Sequence, residues 1–142
     1  MRAMVALAAG DGSPMTTRMI AETMKVPQSY LSKVLQSMVR ARLVYSTRGL
    51  KGGFILARKP SEINMMEILN AVSPYKRIES CPLDLEGHSS QLGPLHKRLD
   101  AAMAMVQDAF SNTSLAEILS DENPCPTLKK QLQQLEPLER LD

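Results

Sequence analysis

The chain of 142 residues contains no tryptophan, three tyrosines and two phenylalanines. So few rings argue against a single-strand nucleic-acid platform, which stacks bases on aromatic side chains. Cysteine is scarcer still: Cys81 and Cys125 are too few for a disulfide framework, so a reducing cytoplasm is the expected compartment. No apolar run approaches the roughly 18 residues of a membrane span, and no signal-peptide pattern opens the sequence, so no membrane partner is expected. Catalytic signatures are missing as well. There is no nucleophile with its base, no glycine-rich phosphate loop and no pair of carboxylates at a recognisable spacing, so the chain is not expected to be an enzyme.

Negative charge is nearly absent from the first part of the chain. Residues 1–60 hold ten Lys and Arg against two acids, Asp11 and Glu22, a balance of +8. The remaining 7 basic and 13 acidic residues give 61–142 a balance of −6. A polyanion-binding front joined to an acidic rear is one reading, and a solvated basic face is the other. Hydrophobic residues make up 44% and charged residues 23%, a globular balance in a length that suits one ordinary domain.

Periodicity orders the elements. Residues 2–9 are strong helix formers that stop at Gly10-Asp11-Gly12. Thr16 can cap a short helix with Ile20, Ala21 and Met24 on one face. Pro27 stands near the favoured first-turn position of a second helix. There Leu31, Val34, Leu35, Met38 and Val39 form an apolar stripe at i, i+3, i+4, i+7 and i+8. Its opposite face carries Ser29, Ser32, Lys33, Gln36 and Arg40. Residues 43–46 and 53–56 read as short strands around a glycine-rich tip, 47–52, that holds Arg48 and Lys51 and no acid. Ser61 is expected to cap a helix over 62–73. Residues 74–94 show no sustained periodicity, which is long for a loop inside a compact domain. A longer helix over 95–110 follows, where Leu95, Leu99, Ala102, Val106 and Ala109 repeat near every 3.5 residues, the period of a coiled-coil seam. Thr113 or Ser114 restarts a short helix through Leu119. The tail after Asp121 places Leu128, Leu132 and Leu135 at helical spacing.

Helix, short helix, tight connection, amphipathic helix and hairpin, in that order, describe a winged helix-turn-helix. The fold class expected is mainly α with a small β-hairpin: a winged helix-turn-helix domain plus a long C-terminal dimerisation helix. The stripe seats the second helix so that its polar face can lie in a major groove. The glycines of the tip allow a tight reversal and close approach to a sugar–phosphate backbone. Candidate DNA-binding residues are Gln28, Ser29, Tyr30, Ser32, Lys33, Gln36, Arg40, Arg48 and Lys51. A winged-helix protein–protein adaptor that does not bind DNA is the alternative, with the leucines of the tail as its docking element.

Residues 27–35, from Pro27-Gln28-Ser29-Tyr30-Leu31, and the run Ser46-Thr47-Arg48-Gly49-Leu50-Lys51-Gly52-Gly53-Phe54 resemble the Rrf-two family. This is the bacterial winged-helix family of the IscR, NsrR and CymR type. Ile63-Asn64-Met65-Met66-Glu67-Ile68-Leu69, Cys81-Pro82-Leu83 and Pro94-Leu95-His96 extend the likeness over about residues 1–119. The resemblance implies a transcriptional regulator, as a rule a repressor, that reads a near-palindromic duplex operator as a homodimer. It divides the chain into a DNA-binding domain (1–60), a connecting helix and sensor loop (61–94), a dimerisation helix (95–120) and a tail (121–142). Leu95, Leu99, Ala102, Val106 and Phe110 are the dimerisation candidates.

Several positions depart from the family pattern. Members usually carry about ten further residues ahead of Arg2, completing the first helix. Glycines common in the turn and after the recognition helix are replaced by Lys25 and Arg42. Both places often need φ > 0, so local strain or a shifted cap is expected. Cluster-binding relatives carry three cysteines between the wing and the long helix. Here Cys81 stands alone, and Gly93 occupies a place that is often cysteine. Cys81, His88 and His96 form no established ligand spacing, so no metal site and no cofactor are expected, with an iron–sulfur cluster as the less favoured alternative. Cys81 is the sensor candidate, a lone thiol near Lys76 and Arg77, and Cys125 reads as a bystander.

Overall fold

The computed structural model describes residues 1–10, 12–49, 52–80 and 92–120. Helix α1 (Arg2–Ala9) is apolar on almost every side, and Ala3, Met4, Val5, Ala6 and Leu7 are all buried, as a helix without a polar face must be. Thr16 then caps α2 (Thr17–Met24), its Oγ1 accepting the Met19 amide at 3.2 Å. Ile20, Ala21 and Met24 turn inward as their spacing predicts. Helix α3 (Gln28–Arg40) follows after a three-residue connection, Lys25 to Pro27, with Pro27 as its N-cap residue just ahead of the first turn.

Strands β1 (Val44–Thr47) and β2 (Gly53–Leu56) form an antiparallel hairpin in the register Val44↔Leu56 to Thr47↔Gly53. On the other side of β2, Met15 exchanges two backbone hydrogen bonds with Phe54, at 3.0 and 2.8 Å. That contact explains Gly53: a Cβ there would lie 2.6 Å from the Met15 carbonyl oxygen.

A 3-10 turn, Pro60–Glu62, leads to α4 (Met65–Val72). The helix starts later than the sequence suggests, and its cap is Asn64, not Ser61. Asn64 Oδ1 accepts the Glu67 amide at 2.9 Å while Glu67 Oε2 accepts the Asn64 amide at 3.1 Å, a reciprocal box that Ser61 cannot make. Glu67 also accepts from Arg58 Nη2 at 2.6 Å, tying the hairpin exit to the start of α4.

Residues 74–80 run without helix or strand along α5 (Pro94–Asn112). Tyr75 donates its hydroxyl to the Met103 carbonyl at 2.9 Å, and Arg77 Nε donates to Asp100 Oδ1 at 2.6 Å. After α5 the chain turns back into α6 (Leu115–Ser120), capped by Ser114 Oγ accepting the Glu117 amide. Leu115 plugs the core beside α1, and its amide donates to the Ile63 carbonyl at 2.8 Å. The core therefore draws on α1, α2, α3, β1, α4 and α6 together. Helix α5 contributes no buried residue to it. Among the described residues no helix is long and apolar enough to cross a membrane.

Candidate nucleic-acid interface

Helix α3 has two chemically opposite faces. Leu31, Leu35 and Met38 are buried, with Val34 and Val39 half-buried beside them. Ser29, Lys33, Gln36 and Arg40 fall at spacings of three and four residues on the other side, and all four are exposed. Gln28 and Tyr30 are exposed at the N-terminal end, Tyr30 to 59%. Ser32 is half-buried, and its hydroxyl donates to the Gln28 carbonyl at 2.9 Å. Arg40 donates to Ser37 Oγ at 3.0 Å, which holds its guanidinium along the helix without neutralising it.

The hairpin supplies a second cationic element. Thr47 Oγ1 accepts the Gly53 amide at 3.1 Å and donates back to the Gly53 carbonyl, closing the neck of the hairpin. Gly49 sits at φ +109°, a conformation closed to L side chains, and its carbonyl accepts the Gly52 amide at 2.9 Å. Arg48 stands exposed between these constraints. Lys51, its expected companion, lies outside the described residues.

Two of the acids in this part of the chain are already engaged. Glu22 pairs with Arg18 at 2.8 Å, and Glu67 pairs with Arg58. Among the described residues, Lys25, Lys33, Arg42 and Arg48 have no ion-pair partner. Uncompensated cations and hydrogen-bonding side chains of several lengths, on and around α3 and on the hairpin, can meet phosphates and base edges.

Away from this face, Leu95, Leu99, Ala102 and Val106 share one exposed side of α5. Phe110 instead packs in part against the chain's own core. Met105, absent from the seam read in the sequence, is the most open large apolar side chain among the described residues, at 73% exposure. The approach to α5 is held by Asp100. Hydrogen bonding from Arg77, with help from the Ile78 amide, keeps the Asp100 carboxyl below the usual carboxylate range. Cys81, His88 and Cys125 fall outside the described residues, and His96 is half-buried on α5.

Two short helices joined by a tight turn and followed by a hairpin with an exposed arginine give the winged helix-turn-helix architecture of DNA-binding regulators. Residues 1–121 match the family described as Rrf2, iron-dependent transcriptional regulator, and the chain belongs to that family. BadM of Rhodopseudomonas palustris, named as an HTH-type transcriptional regulator, is 30% identical over 128 residues, which cover 84% of this chain and 78% of BadM. YwgB of Bacillus subtilis, similarly named, is 31% identical over 109 residues, or 74% of this chain and 66% of its own length. Among solved structures, T. potens IscR superposes with a TM-score of 0.69 at 24% identity, covering 86% of this chain and 81% of that one. CymR, the global cysteine regulator of B. subtilis, does so at 0.67 and 24%, over 84% and 89% of the two chains. At that identity these two structures speak to the fold alone.

Proposed function

We propose that the chain is a homodimeric, sequence-specific regulator that represses transcription by occupying a near-palindromic operator. The observation that carries this reading is the division of α3 into a buried Leu31–Leu35–Met38 side and an exposed Ser29–Lys33–Gln36–Arg40 side. Residues 1–60 would read each half-site, with α3 in the major groove and Arg48 on the wing against the backbone or a narrow minor groove. Residues 61–94 link this unit to a dimerisation helix within 95–120, whose seam sets the half-site spacing. The tail, 121–142, has no assigned role.

The test is duplex binding as a function of salt. Roughly 5–10 phosphates neutralised per dimer should make log affinity fall steeply with log salt concentration. Arg48→Ala should cost about 1–3 kcal/mol of binding if the guanidinium reads a base or a narrow groove. A flat salt response, or an Arg48→Ala protein that binds as well as its parent, removes the reading. Selection from a random duplex pool would then give the operator.

The family's description names iron, and the residues here do not fit a protein-held cluster. A cluster takes about four ligands, commonly thiolates. The whole chain has two cysteines, and Cys81, His88 and His96 form no established ligand spacing. We assign this chain altered or lost iron–sulfur sensing, with the Cys81 thiol as its candidate sensor. Anaerobically purified protein should contain far less than stoichiometric iron and sulfide. A brown protein with stoichiometric iron that bleaches in Cys81→Ser would overturn this.

A further inference from the structure

Two residues of the chain other than glycine have positive φ among those described: Lys25 at 50° and Arg42 at 57°. They stand at the two ends of α3, Lys25 in the turn before it and Arg42 just after it. Left-handed backbone is strained for residues with a Cβ, and glycine relieves the strain at once. The local fold makes no demand on either side chain. At the first turn, Lys25 and Val26 donate their amides to the Ala21 carbonyl, and Arg2 Nη1 reaches the Met24 carbonyl at 3.4 Å. At the second, Arg42 donates its amide to Val39 and Leu43 donates to Met38, both at 3.0 Å. None of these interactions uses the side chain of Lys25 or Arg42, so glycine would keep them equally well.

Both side chains are cationic, exposed and without an ion-pair partner among the described residues. Glu22, three residues before Lys25, is held by Arg18. A helix of 13 residues is about 20 Å long, whereas the major groove is about 12 Å wide. The ends of a helix seated there therefore approach the sugar–phosphate walls. Backbone strain retained at two such places, with a cation at each, is what a binding role would preserve against the pull of stability.

Resting on the reading of α3 as the recognition helix, we propose that Lys25 and Arg42 are phosphate clamps, one at each end of α3. Their side chains contribute to affinity and register, and the left-handed backbone is the cost of placing them there. The competing explanation is that each cation merely complements a helix C-terminus. That role would leave DNA binding untouched.

The experiment uses the full chain, a mixed-sequence duplex long enough for one dimer, and a salt titration. Lys25→Gly/Arg42→Gly should melt at a higher temperature than the parent, because strain is relieved. It should bind the duplex about three- to tenfold more weakly for each phosphate no longer neutralised, with a salt slope shallower by about 0.9 for each. Lys25→Arg should retain the parent's affinity and slope, and the single glycine variants apportion the effect between the two ends. A glycine double variant that binds with the parent's affinity and slope overturns the clamps and leaves the recognition helix standing. Failure of the parent itself to bind duplex would remove both.

Discussion

Leu99→Glu should leave the protein monomeric or insoluble and should reduce operator affinity by two or more orders of magnitude. Leu99 is 47% exposed in the single chain, on the same side of α5 as Leu95, Ala102 and Val106. A row of apolar side chains along 19 residues of helix, none of them buried, is costly to leave in water. A second copy of the helix would cover it. A carboxylate placed in that seam would have to be desolvated without a partner, a penalty of several kcal/mol. Loss of the dimer would also break the linkage between half-sites, and such linkage commonly raises avidity by about 10²–10⁴. Light scattering reads the assembly directly. A folded monomer in the unmodified protein would refute the proposal whatever the variant does.

Leu35→Ala should damage the fold far more than any substitution on the exposed side of α3. Leu35 is fully buried on the inner side of α3, in the same cluster as Met38, Ile20 and Val44. Its truncation removes apolar surface and leaves a cavity that the surrounding helices can only partly close, at a cost of about 2–5 kcal/mol. Against a total stability of about 5–15 kcal/mol, that is enough to populate the unfolded state on modest warming. Gln36→Ala, one residue along on the exposed side, should leave stability within about 0.5 kcal/mol and weaken DNA binding instead. Urea melts of the two variants test the contrast. If Leu35→Ala keeps the parent's midpoint, the division of α3 into seat and reading face is wrong.

Local pattern made most of this architecture legible. The stripe from Leu31 to Val39 reports its own burial, since side chains three and four apart on a helix share a side. Lys25 and Arg42 showed their left-handed backbone through the glycines usual at those places in the family, and the structure bears out the expected strain. What stayed hidden depends on contacts between distant residues. Ser61 and Asn64 are both plausible caps by type. The choice between them rests on whether Glu67 can fold back onto the cap, a carboxylate that Arg58 also holds. The burial of Leu115 was equally unreadable, because nothing near it in sequence announces that α6 returns to α1. Phe110, a dimerisation candidate by sequence, also packs in part against the core, a contact that its place at the end of α5 does not announce.

The return of Leu115 to the core has a consequence for synthesis. Its amide closes onto the Ile63 carbonyl, so residues about fifty positions apart must meet before the interior is sealed. On a ribosome, α1 through β2 emerge long before α6, and until then Ile63 and Met65 lack the covering that Leu115 provides. The core that residues 1–60 share with α6 is consequently incomplete until α6 has been made. It reaches its final stability only once the long helix is made, which delays a fully stable reading face until the segment proposed to join two copies is also available.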